Sequence, residues 1–330
     1  MKIMKKFLLL IALLLLSSST ASAIVVDYSV LSVNEESGID FTQITTENDF
    51  VAMPQVRRSG NKVTWVTNRT IDISVDGTQL AYISARNNTT NVFIKDVYKQ
   101  GSSVQRTNRQ AVIDFSYSPD GKYICFTEKS GRYQTIYQTS ATTGYVCRQI
   151  TSNNVDYSPV YSYDMKNIFF ARREGKSYSV WSYNLVNNFL SSYTRGHNPC
   201  PINRDNTLLC TRINNDGRGE IWKVDYTTGV EECILADPER SFSSPSLSPN
   251  GRWLVFVGSN VLKPGNSQYA NTDIFICHPD GTRVMQVTYH AADDLSPVWS
   301  RDGRYIYFIS QRGSATATAN VWRITFVEPR

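Results

Sequence analysis

The chain has 330 residues, with 34 lysines and arginines against 29 aspartates and glutamates, three histidines and a formal charge of +5. Hydrophobic residues make up 41% and aromatic residues 12%, enough to build a core and too much for a disordered chain. Lys2, Lys5 and Lys6 fall in an N-terminal leader; taking them from the 34 leaves 31 basic against 29 acidic residues, which gives no warrant for nucleic-acid binding.

The leader reads as a signal peptide over residues 1–23. Its lysines precede an apolar run from Phe7 to Leu16, and Ala21-Ser22-Ala23 supplies the small residues that a signal peptidase cuts. That run is about half of the ~20 residues needed to cross a bilayer, and no later run is long enough to span one. No cysteine lies beside the cleavage point, which argues against a lipid anchor. The mature chain is expected to start at Ile24, after cleavage near Ala23, and to be periplasmic or secreted.

Two elements come before the main pattern, in an N-terminal segment over 24–70. Phe41-Thr42-Gln43-Ile44-Thr45 has the look of an isolated strand at about 39–45. Pro54 to Trp65, with Ser59-Gly60 in the middle, has the spacing of a hairpin but too little chain after it for two more strands. It is read as an insertion or an extended approach to the first repeat, ahead of a degenerate seventh repeat.

One β-hairpin then recurs six times without gaps, at 71–82, 115–126, 159–170, 199–210, 245–256 and 297–308. The turns carry Asp76-Gly77, Asp120-Gly121, Asp164-Met165, Arg204-Asp205, Asn250-Gly251 and Asp302-Gly303, residues that tolerate positive φ. The flanks alternate aromatic or β-branched residues with polar ones, the period-two signature of strands. A third strand follows each hairpin, at Asn91-Val92-Phe93-Ile94, Thr135-Ile136-Tyr137, Ser179-Val180-Trp181, Glu220-Ile221-Trp222, Asp273-Ile274-Phe275 and Asn320-Val321-Trp322. A fourth carries Gln-x-Thr at Gln105, Gln149 and Gln286, blurred around Ser192–Thr194 and Cys233–Leu235. Four strands per repeat, six times over, predict an all-β fold: a six-bladed β-propeller of four-stranded antiparallel blades in one domain. The sixth repeat has no Gln-x-Thr strand of its own, so Gln43-Ile44-Thr45 is expected to complete it and close the ring.

The Ser118-Pro119-Asp120-Gly121 turn, the Asp302-Gly303 turn, the Asn/Asp-Ile/Val-aromatic strands and the Gln-x-Thr strands together resemble the repeats of TolB-like propellers, from about Phe41 to Ile324. The resemblance implies a binding or scaffold role in the bacterial envelope, with a protein or peptide partner. TolB proteins also carry an α/β domain ahead of the propeller, and only Ile24 to about Thr70 precede the first hairpin here.

The chemistry-bearing residues are few. There is no Gly-x-Ser-x-Gly elbow, phosphate-binding glycine loop or dinucleotide fingerprint. Six cysteines in an exported chain are even in number, but Cys200 is expected opposite Leu208, putting Cys210 on a diagonal, and Cys125 and Cys147 belong to strands separated by a third. Mostly free, buried thiols are expected. Asn68 and Asn88 head glycosylation tripeptides of a kind common by chance.

The loops that lead into the first strands hold Arg69, Asp156, Tyr157, Arg195, His197, Arg240, Phe242, Tyr289, His290, Asp293 and Asp294, a mixture of tyrosine, arginine and both charge signs that suits a protein partner. His197, His290, Asp293 and Asp294 are also the residues a metal-dependent or carbohydrate-active enzyme would use, with carbohydrate then the ligand. Asp156 and Asp294 each stand three residues before a proline, where a local turn or cap accounts for them, and His278 belongs on the opposite face. No metal or other cofactor is expected.

Overall fold

The protein is described here by a computed structural model covering residues 36–59, 62–66, 69–99, 101–202, 206–262 and 269–329. The leader, Asn68 and the Arg204-Asp205 turn lie outside the described residues.

Six four-stranded antiparallel sheets form the blades. Blade one comprises Ile71–Ile73, Gln79–Arg86, Thr89–Asp96 and Val104–Gln105, and blade two Val112–Tyr117, Tyr123–Ser130, Tyr133–Ser140 and Val146–Gln149. Blade three comprises Asp156–Tyr161, Asn167–Glu174, Ser177–Asn184 and Leu190–Arg195, and blade four His197–Ile202, Thr207–Ile213, Gly219–Asp225 and Glu231–Leu235. Blade five comprises Phe242–Leu247, Leu254–Leu262, Tyr269–Cys277 and Met285–Gln286. Blade six takes Asp294–Trp299, Tyr305–Ser310 and Asn320–Thr325, and its fourth strand is Phe41–Gln43. The first strand of each blade is innermost and touches the first strands of both neighbouring blades, so the ring surrounds a central channel.

The second strands depart from the alternation expected of the hairpin flanks: their middles are buried without a break because both faces are covered by neighbouring blades. In blade one, Leu80 and Tyr82 pack towards blade six while Ala81 and Ile83 pack towards blade two. Blade five does likewise, with Leu254 and Phe256 facing blade four and Val255 facing blade six. Hydrophobic clusters of this kind fill every junction between adjacent blades.

Each repeated polar residue has a defined bond to make. In the hairpin turns, Ser74, Ser118, Ser162 and Ser300 donate to Asp76, Asp120, Asp164 and Asp302 at 2.5–2.6 Å, and Ser248 donates to Asn250 at 2.8 Å. The same hydroxyls accept the amide five residues on, which locks the turn into the second strand. Gly77, Gly121, Gly251 and Gly303 all sit at φ 72°, where a side chain would be strained, whereas Met165 takes that place in blade three at φ 59°.

The Gln-x-Thr signature joins the outer strand to the third. Thr107 Oγ1 accepts the Val92 amide and donates to Asn91 Oδ1, both at 2.9 Å. Gln105 then folds its amide onto the Thr107 carbonyl. The N-terminal strand repeats this geometry across the ring junction: Thr45 Oγ1 accepts from the Val321 amide at 2.8 Å and donates to Asn320 Oδ1 at 3.0 Å. Phe41, Thr42 and Gln43 pair with Ile324, Arg323 and Trp322. The ring therefore closes through the strand expected from the sequence.

Pro54 to Trp65 is neither a blade nor part of one. Val56–Ser59 and Lys62–Val66 form a separate two-stranded hairpin, a strap. The strap rests on the face where the first strands begin, called the upper face below, over blades five and six. Val56 packs on Val257 and Leu295, Ser241 Oγ donates to the Val63 carbonyl at 2.5 Å, and Arg58 pairs with Asp293 at 2.6 Å.

The expected cysteine register needs correction, since Cys200 lies opposite Leu209 because a bulge after His197 shifts the pairing. Cys200 and Leu209 face blade five while Leu208 and Cys210 face blade three, so the two thiols point to opposite sides of the sheet. Cys125, Cys200, Cys210, Cys233 and Cys277 are free, and Cys233 is the exposed one.

Because the Thr107 hydroxyl is the partner of a buried amide, Thr107→Val keeps the shape and leaves that amide unsatisfied. The variant is expected to lose roughly 1–3 kcal/mol of stability, measured from the urea midpoint at unchanged slope.

Candidate functional site

The inner strands shape the upper mouth of the channel. A proline cannot donate to a ladder, so it is tolerated where pairing is already interrupted. Pro159, Pro199, Pro245 and Pro297 each sit inside a register shift between the first and second strands. The residue before each has left-handed backbone: Ser158 at φ 53°, Asn198 at 50°, Ser244 at 55° and Ser296 at 57°. Thr70 and Asp114 occupy the matching positions in blades one and two, so the mouth is ringed by one short polar residue per blade.

Several of these groups join one blade to the next. Ser158 N–H donates to Asp114 Oδ2 at 2.8 Å, Thr70 N–H to Ser296 Oγ at 2.9 Å, and Tyr117 N–H to Asp72 Oδ2 at 3.0 Å. Inside the ring is a recess of about 430 Å³, open to solvent, whose lining includes Arg69, the left-handed residues and the four prolines. Arg69 is half-buried there, and its nearest carboxylate is Asp72 at 3.9 Å.

The eleven residues singled out in the upper loops divide by burial. Arg195, Arg240 and Tyr289 are exposed, with Arg240 over the Phe275 ring at 5.7 Å and the Tyr289 hydroxyl donating to the Gln286 carbonyl. Asp293 is half-buried and holds both Arg58 of the strap and the amide and hydroxyl of Thr272.

The expectation of a contact surface does not suit the remaining six, Asp156, Tyr157, His197, Phe242, His290 and Asp294, which are buried. They lie in or beside the inner strands, and their roles are internal. Asp156 receives a two-point contact from Arg172 at 2.7 and 3.0 Å. Asp294 is 2.5 Å from Arg312, which also binds Glu36 at 3.1 Å in a site with no exposure. Burial works against the Arg312 charge, but Asp294 and Glu36 outweigh it and hold the guanidinium protonated.

The histidines follow the same division. Burial pushes the His197 ring down to about 4, so it is neutral at ordinary pH; it bonds to Asn198 Oδ1 at 2.5 Å and packs on Tyr178. His290 Nδ1 accepts the Ala292 amide at 3.0 Å. His278 lies on the lower face, edge-on to Trp253 at 4.5 Å. Among the described residues, no group of three or more histidines, cysteines, aspartates or glutamates is placed to hold a metal ion. No helix among them is long and apolar enough to cross a membrane.

Two parts of the site were not anticipated from the sequence, the strap with its arginines and the polar ring. The ring had a signal, the repeated Ser-Pro and Asn-Pro pairs at the strand openings.

Fold and site together define a six-bladed propeller with a polar upper mouth and a largely internal set of buried ion pairs. The chain belongs to the TolB beta propeller domain family, whose profile matches residues 68–267. It is 25% identical over 212 residues to the Tol-Pal system protein TolB of Francisella tularensis subsp. holarctica (strain OSU18), covering 63% of this chain and 47% of that protein. The chain thus spans about half the length of the curated relatives it matches. In architecture it is similar to the putative TolB from Agrobacterium tumefaciens, with a TM-score of 0.59 at 18% identity over 81% of this chain and 94% of that one. It is also similar to oligogalacturonate lyase from Vibrio parahaemolyticus, with a TM-score of 0.57 at 11% identity over 90% and 96% of the two chains. At these identities the structural likenesses establish the fold alone.

Asp114 gives the mouth ring a pH dependence. Burial pushes its carboxyl up to about 7, against the Ser158 amide that favours the charged form. The folded protein therefore keeps a proton that the unfolded chain releases near pH 4, and stability falls as pH rises from there through 7. Asp114→Asn retains the acceptor for Ser158 and removes the titration. It is expected to be more stable than the wild type by on the order of 2 kcal/mol at pH 8, with the gap closing below pH 5, as read from denaturant midpoints at several pH values.

Proposed function

We propose that this chain is an exported, non-catalytic binding module that uses its upper face to dock a protein or peptide partner in the bacterial envelope. The observation that carries this reading is the division of the upper face itself. The buried groups are committed to contacts inside the fold, while Arg195, Arg240 and Tyr289 are exposed in the upper loops and Arg69 lines the mouth. Tyrosine and arginine supply much contact energy at protein interfaces, through large flat surfaces and several donors per side chain.

The envelope setting is supported by the curated relatives, which are named for the Tol-Pal system, and by the leader pattern of residues 1–23. The strap is part of this surface. It lies over blades five and six, beside a recess lined from blades one, three, four, five and six.

The reading is tested by capture from native envelope extract with the mature chain as bait. Arg195→Glu, Arg240→Glu and Tyr289→Ala combined are expected to reduce the captured partner tenfold or more. Tyr163→Ala with Lys166→Glu, on the lower face, is expected to stay within twofold of the wild type. Equal capture by both sets of variants would place the contact elsewhere.

A further inference from the structure

The recess at the upper mouth is chemically one-sided. Among the described residues that line it, Arg69 is the charged one; the Asp114 carboxyl of the ring lies buried behind Ser158 and is engaged by the Ser158 amide. Asp72, 3.9 Å from that guanidinium, already uses its two oxygens to accept the Ile73 and Tyr117 amides at 2.8 and 3.0 Å. It tempers the charge of Arg69 without capping it closely.

Two of the polar side chains that line the recess with Arg69 have a donor to offer. Ser158 is 8% exposed, its amide is spent on Asp114, and its hydroxyl has no partner among the described residues. Asn198 commits its side-chain oxygen to His197, which leaves the NH2 end as the group that can donate. Pro159, Pro199, Pro245 and Pro297 form apolar walls that offer no N–H groups of their own.

We propose that the upper mouth is a carboxylate site. Arg69 pairs with the carboxylate and the Ser158 hydroxyl and Asn198 amide donate to it. A planar guanidinium fork matches a carboxylate in shape. One guanidinium, partly offset by Asp72, suits a single negative charge better than a phosphate dianion. The carboxylate is that of an acidic side chain or the C-terminus of a bound peptide; this assignment of its source rests on the partner-binding reading above.

The test is an NMR titration of the labelled mature chain with short peptides. N-acetyl-Gly-Gly-Glu amide is compared with its Gln counterpart, and N-acetyl-Gly-Gly-Gly as the free acid with the same peptide amidated. At least one acid is expected to bind roughly tenfold or more tightly than its neutral twin, and which pair shows the preference identifies side chain or terminus. Arg69→Gln should abolish the preference, Arg69→Lys should retain part of it, and Ser158→Gly, which suits the positive φ, should weaken it severalfold. Thermal melts of each variant establish that it is folded.

Equal binding of acids and neutral twins by the wild type would overturn the proposal without any variant being needed. So would an undiminished preference in folded Arg69→Gln, or tighter binding of inorganic phosphate than of either acid. The two readings also fail separately. Arg69-dependent carboxylate binding with no captured partner leaves the site standing and removes the partner reading. Capture that is unaffected by Arg69→Gln, with no acid preference, does the reverse.

Discussion

Everything in this protein depends on a junction between residues some 275 positions apart. Thr45 places its hydroxyl between the Val321 amide and the Asn320 side chain, the same three-way arrangement that Thr107 makes within blade one. Within a blade the arrangement only finishes a sheet. Across the junction it finishes the ring, because the strand Phe41–Gln43 is the outer edge of the blade to which Asn320–Thr325 belongs. An unclosed ring would leave edge amides unpaired and would free blade one from blade six, exposing the cluster of Ile71, Tyr82, Val298, Tyr307 and Val321. Two further contacts hold the same junction. Glu36 reaches Arg312, and Asp49 reaches Lys95 at 2.7 Å and the Tyr82 hydroxyl at 2.8 Å.

The closed ring in turn sets what the channel mouth can be. Six inner strands converging on one axis bring the residues before their prolines together, and the bulges turn short polar side chains to the rim. Backbone held at positive φ in serine and asparagine costs energy, and it persists here because the flanking blades fix both sides of each bulge. The residues shared among blades are spent on this scaffold. The differences among them, such as Arg69 in blade one or Asp114 in blade two, give the mouth its chemistry.

The fold was legible from the sequence because its determinants are local and repeated. A Ser-x-Asp-Gly turn, an Asn or Asp before a third strand and a Gln-x-Thr fourth strand are read within one repeat, and the closing strand was found as a Gln-x-Thr element without a blade. The site was less legible because its determinants are neither local nor repeated. Asp156 and Asp294 look like loop carboxylates until they meet Arg172, on the adjoining strand, and Arg312, in the turn that follows it, 16 and 18 residues further on. Nothing in Val56–Val66 says that it will lie over blades five and six; that follows from Arg58 meeting Asp293, 235 residues away. Residues two or three before these prolines, Asp156, Tyr157, His197 and Asp294, belong to the buried inner strands and not to exposed turns.

The claim that ring closure by the N-terminal strand governs the whole fold is tested most directly by comparing chains that begin at residue 36 and at residue 46 in guanidinium unfolding. The longer form should unfold in one cooperative transition. The shorter form loses the strand, the Thr45 bridge and the Glu36 contact to buried Arg312; it should be less stable by roughly 3 kcal/mol or more, or should lose cooperativity. Coincident midpoints with equal slopes would contradict the account.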